Sequence, residues 1–192
     1  MHALTPGPAP APRNQTIVAA SVGAAATLML IGGMLAVWAV KRSAMIATGE
    51  PWLPSSVTIP EVPTNVMLIA FAALCSFAQW AIWSAARDDR ANTVFALAVT
   101  GFVALLVLNA QAFVWSQMEI GVFEGEYGSM FFAITGTFFA LMIAGLLMTV
   151  VTLFRYLAGR TRDRELLVAH AIYWYALTVA FSAIWFVVYV TK

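Results

Sequence analysis

The chain has 192 residues, is 62% hydrophobic and only 10% charged, and carries a net charge of +1. That excludes a soluble globular composition, in which about a quarter of residues are charged, and it offers no basic footprint for nucleic acid. Its only cysteine, Cys75, excludes an intrachain disulfide and a multi-cysteine metal cluster, and reads as a small buried hydrophobe.

Residues 1–15 are rich in Pro and Ala and read as a disordered tail. Five apolar runs follow: Asn14 to Val40, Val62 to Ala86, Ala91 to Met118, Tyr127 to Phe154 and Leu166 to Thr191. None contains Lys, Arg, Asp or Glu. About 20 apolar residues in helix cross a hydrocarbon core of roughly 30 Å, and each run is longer than that. Strands of a barrel alternate in polarity, whereas VALLVL and AGLLMTVV are apolar on every face. Lipid supplies no partners for backbone groups, so the runs read as helices. The expectation is an all-α polytopic membrane protein, one domain over 16–192. Its five transmembrane helices fall at about 16–41, 65–87, 92–117, 128–156 and 166–190. The first run exceeds the roughly 7–15 residues of a signal-peptide apolar region and reads as a retained helix.

The longest connection, Arg42 to Pro63, holds four prolines that interrupt helix, and its Trp52 reads as an interfacial anchor. The connection Glu119 to Glu126 carries three carboxylates and no base. It reads as a solvated loop, or as a docking patch for a basic partner. Seven arginines (13, 87, 90, 155, 160, 162 and 164) fall on the side of the N-terminus and the second and fourth connections. Lys41, Arg42 and Lys192 fall on the other. The positive-inside rule then places the N-terminus in the cytoplasm and the C-terminus outside. Lys41 and Arg42, which follow the first span, point the other way.

Chemistry-bearing residues are few. His2 lies in the tail and His170 in the last helix, and two separated imidazoles make no convincing metal site. His170 reads as an interfacial structural residue. The nine methionines read as core filler. Gln79, Asn109 and Gln111 read as interhelical glue. Catalytic, cofactor and metal residues are therefore assigned to none. Small residues recur every four positions at Ala19, Gly23 and Thr27 on the first span, and at Gly136, Ala140 and Ala144 on the fourth. This spacing lets helix backbones approach closely, within the chain or against a partner.

The stretch YGSMFFAITGTFFALMIAG, Tyr127 to Gly145, resembles the membrane segment of cytochrome c oxidase subunit III, whose pattern runs approximately YGSxFYxxTGFHGxHVxxG. The matching positions are Tyr127, Gly128, Ser129, Phe131, Thr135, Gly136 and Gly145. QAFVW, Gln111 to Trp115, is similar to the family's QAYEY, and Tyr173-Trp174-Tyr175 to its YYWHFVD. GEPWLP, Gly49 to Pro54, is similar to a connection in short bacterial members. The resemblance covers about Val22 to Tyr189. It implies the short five-helix bundle of that family, in a bacterial plasma membrane.

The departures concern ionisable positions. Thr27 stands where the family has Glu, and Val114 where QAYEY has its acid. Phe138 and Leu141 replace the two histidines of FHGxH. Tyr175 and Thr178 replace the His and Asp of the last motif. The resemblance implies a divergent, non-catalytic subunit III-like component of a haem–copper terminal oxidase. Such a component supports assembly and stability of the catalytic subunit in aerobic electron transport. Its partners would be the membrane, subunit I, other oxidase subunits and ordered phospholipid. Haem and copper would reside in a partner subunit only. The alternatives are an accessory subunit for nitric oxide reductase and, from a different class, a small membrane transporter or channel. The absence of charged span residues and of an inverted repeat counts against the last.

Overall fold

The computed structural model describes residues 14–55, 57–161 and 163–191. The Pro/Ala-rich tail up to Arg13, with His2, lies outside the described residues, as do Arg162 and Lys192. Every regular element among the described residues is helical: α1 Gln15–Ala47, α2 Glu61–Ala86, α3 Arg90–Met118, α4 Gly125–Leu157 and α5 Arg164–Ile184. A π-helical turn, Trp185–Val190, extends α5. All five helices are long and apolar enough to cross a membrane. The protein is a multi-pass membrane protein.

The helices outrun the apolar runs that mark them. α1 continues six residues beyond its expected end at Lys41, and at a rise of about 1.5 Å per residue its 33 residues extend about 50 Å. The hydrocarbon core needs only about 30 Å, so helix ends emerge into the headgroup zone, where charge is tolerated. α2 starts four residues early because Pro63 sits in its first turn, where the missing N–H costs nothing. Asp89 caps α3, accepting from Asn92 N at 3.1 Å. These bonds to Asn92 hold its carboxyl below the usual carboxylate range. Gly159, at φ +85°, supplies the left-handed residue that ends α4.

α5 is the hub of the bundle and packs against α1, α2 and α4, while α2 pairs with α3 and α3 with α4. α1 is the most exposed helix and is held chiefly by α5, through a stripe of Ala24, Thr27, Ile31, Leu35 and Trp38. The end of the bundle bearing the α2–α3 and α4–α5 connections is rich in arginine, and those side chains lock the connections. Arg90 donates to the carbonyls of Tyr156 and Leu157 at the end of α4. Arg164 pairs with Asp88 at 2.9 Å and Arg155 with Asp163 at 2.6 Å. The opposite end is acidic. There Lys41 pairs with Glu126 at 3.0 Å, and Arg42 donates to Thr191 O at 2.6 Å.

Trp52 does not face the membrane interface. It is 3% exposed and packs with Trp38 and Tyr127, with ring centroids 4.9–5.8 Å apart. The proline-rich connection folds back over the bundle, because Val57 and Ile59 are buried with it in the main core.

Candidate functional site

The motif residues of α4 converge on its contacts with α3, α5 and the acidic loop before it. At the acidic end, Tyr127 is buried beside Trp38 and Trp52. A Cβ on Gly128 would lie 2.7 Å from the carbonyl oxygen of Gly121, so the loop can close on the helix only over glycine. Ser129 donates to Val122 O at 3.1 Å and Gly125 O at 3.0 Å, tying the same loop to the helix start. About two turns deeper, Thr135 donates to Phe131 O and accepts from Trp115 Nε1 at 3.0 Å, which joins α3 to α4. Gln111 is buried on α3 and donates to Tyr189 Oη at 3.4 Å, in the π-helical turn.

Toward the arginine-rich end, α4 and α5 meet at Gly145. A Cβ there would lie 3.0 Å from Tyr173 Cε1 and 3.2 Å from Trp174 Cζ2. Tyr173 Oη donates to Leu141 O at 2.8 Å. Trp174 Nε1 donates to Thr149 Oγ1 at 3.0 Å and to His170 Nε2 at 3.1 Å. Thr149 in turn bonds Gly145 O at 2.9 Å and lies 2.8 Å from His170 Nε2. His170 is completely buried, and its Nδ1 has no hydrogen-bond partner among the described residues. Thr149 and this knot escaped the sequence reading. The i, i+4 spacing of His170 and Trp174 was a usable signal. Thr149 lies on another helix, and nothing local marks it.

The two small-residue series behave differently from the motif residues. Of the six, only Thr27 is buried. Gly136 is half-buried, and Ala19, Gly23, Ala140 and Ala144 are exposed. A Cβ on Gly23 or Gly136 would meet nothing within 4 Å. Apart from Thr27, which lies in the α1 stripe against α5, these positions are not closed on by another helix of this chain.

The positions where the family carries ionisable groups are filled by packing side chains. Val114 is fully buried, and Phe138 packs at a tilt against the stacked pair of Phe71 and Phe181, with centroid distances of 4.6–5.7 Å in the trio. Tyr175 Oη donates to Gln79 Oε1. Thr178 donates to Trp174 O at 2.9 Å and lies 3.0 Å from Cys75 Sγ. Leu141 is half-buried against the main core. Among the described residues no group of three or more His, Cys, Asp or Glu comes together. The arrangement is an α3–α4–α5 core built on the motif residues, with exposed small residues on α1 and α4.

The family model for cytochrome c oxidase subunit III matches residues 22–192. The chain is 29% identical over 161 residues to cytochrome c oxidase subunit 3 of Xenopus laevis, an alignment covering 80% of this chain and 60% of that protein. It is 29% identical over 164 residues to the subunit 3 of Strongylocentrotus purpuratus, covering 79% and 60%. Against the subunit 3 of Rattus norvegicus the identity is 26% over 163 residues, covering 80% and 60%. The chain spans about 60% of the length of these relatives. It belongs to the cytochrome c oxidase subunit III family.

Proposed function

We propose that this member of the subunit III family is a non-catalytic membrane subunit of a haem–copper terminal oxidase, one that supports assembly and stability of the catalytic subunit. The observation that carries the reading is a division of labour along α4. Its family-motif residues other than Gly136 lock the helix into its own bundle, while Ala140 and Ala144 remain on an exposed face. In lipid, helices gain no hydrophobic driving force by associating, so close packing of small-residue faces is the main means of binding another membrane subunit.

Haem and copper belong, in this reading, to the partner subunit, and the chain's own part is positioning. Packed apolar or neutral side chains at 27, 114, 138, 141, 175 and 178 remove from this chain the ionisable groups that would carry protons through it. The arginine-rich end faces the cytoplasm of a bacterial cell, with the C-terminus outside, as the positive-inside rule requires.

Purification of the tagged chain in mild detergent tests the proposal. Co-purification of a haem–copper catalytic subunit is expected. Recovery of nitric oxide reductase subunits would reassign the partner, and recovery of the chain alone from an oxidase-expressing membrane would contradict the reading.

A further inference from the structure

Residues 50–55 leave the end of α1 through Gly49, at φ +84°, and carry Trp52 back over the acidic end of the bundle. Trp52 is buried, and its ring meets Trp38 of α1 edge-on at 4.9 Å and Tyr127 of α4 at 5.8 Å. Trp38 and Tyr127 are buried as well, with ring centroids 5.3 Å apart. One inserted indole thus bridges the two helices.

Little else holds this strap. Pro51 and Pro54 have no N–H to donate. Among the described residues its backbone makes two hydrogen bonds, from Glu50 N to Met45 O at 3.3 Å and from Val57 N to Pro54 O at 3.0 Å. Neither reaches a helix other than α1. A groove of about 330 Å³, with Lys41, Thr48, Glu50 and Glu126 on its walls, lies beside the strap and leaves it space to move into.

The aromatic trio is also short of hydrogen bonds. Nε1 of Trp38, Nε1 of Trp52 and Oη of Tyr127 are all buried, and none has a partner among the described residues. Elsewhere in the bundle Trp115, Trp174 and Trp185 each donate Nε1 to an acceptor, Thr135, Thr149 and Asn65 respectively. A buried donor without an acceptor forfeits the bond it makes with water when exposed. Burial of the indole surface therefore favours insertion, and three polar atoms oppose it.

We propose that Trp52 is a releasable plug, and that its strap opens locally about Gly49 while the five helices stay folded. Withdrawal returns the Trp52 N–H to water and uncovers Trp38 and Tyr127 as an aromatic recess between α1 and α4. The strap thereby gates that seam at the acidic end. Local opening of this kind is drawn from segments with few backbone bonds and few buried contacts. The device does not depend on which complex the chain joins.

Hydrogen–deuterium exchange of the indole N–H groups tests it, followed by NMR on the full chain in micelles with nitrogen-labelled tryptophan. The chain has seven tryptophans, and single Trp→Phe variants assign the signals of Trp38, Trp52 and Trp174. Trp38 and Trp52 should exchange together, through the same opening. Both should exchange about tenfold or more faster than Trp174, which is equally buried but bonded to Thr149 and His170. Tyr127→Phe keeps the ring and removes an unpartnered hydroxyl, so it should favour closure and slow both signals by about fivefold or more. Trp174 should be unaffected by it. Exchange of Trp38 and Trp52 as slow as that of Trp174 would overturn the proposal, and so would markedly unequal rates for the two. Unchanged or faster exchange of Trp38 and Trp52 in Tyr127→Phe would overturn it as well.

Discussion

At the scale of single residues, two kinds of glycine are distinguishable by what surrounds them. Gly145 sits against Tyr173 and Trp174 with no room for a side chain, so Gly145→Leu should overpack the α4–α5 contact and cost about 1–3 kcal/mol. Thermal unfolding in micelles checks this, and an unchanged midpoint would show that the contact is soft. Gly128→Ala should also destabilise, because the obstructing atom is a backbone oxygen that cannot rotate away. Thr149 is the other sensitive position. Its hydroxyl joins Gly145 O, Trp174 and His170, so Thr149→Val should lose about 1–2 kcal/mol in the same assay, with Thr149→Ser retaining most of it. The motif-bearing members of this knot, Gly145 and Trp174, were legible because their spacing matches a family pattern. Thr149 and the burial of His170 were not, since the partners are separated by 21–25 positions in sequence and meet only after α4 and α5 dock.

At the scale of elements, the five helices follow from uncharged runs too long to be anything else in lipid, and their number and order were legible directly. Their ends were not, because helix continues through the headgroup zone, where hydropathy no longer reports it. The inward turn of Trp52 was hidden for a related reason: an aromatic residue near a membrane surface fits both an interfacial anchor and a core anchor. The small-residue series gave a face and no partner. Since Gly136 has open space and Ala140 is exposed, Gly136→Leu and Ala140→Leu should leave the melting temperature of the isolated chain nearly unchanged. The same substitutions should reduce the yield of the assembled complex several-fold if these faces pack on another subunit, which quantitative co-purification measures. By contrast, Lys41→Met should cost no more than about 1 kcal/mol, because both members of its pair with Glu126 are about half exposed.

At the scale of the whole molecule, α5 is wrapped by its neighbours while α1 hangs on it at the periphery, leaving broad apolar surfaces on α1 and α4. Such surfaces suit lipid or another membrane protein, and the family to which the chain belongs supplies the second option. Phe138 and Val114, at positions where the family resemblance implies ionisable groups, are fully buried in the bundle. In the function we propose, this shape serves assembly on a catalytic partner. The most direct measurement compares oxidase complex recovered from cells that lack the chain, cells that express it, and cells that express the Gly136→Leu, Ala140→Leu double variant. The account predicts that intact, haem-loaded catalytic subunit falls without the chain, returns with it, and stays low with a stably folded double variant. Equal recovery of active oxidase in all three would contradict it.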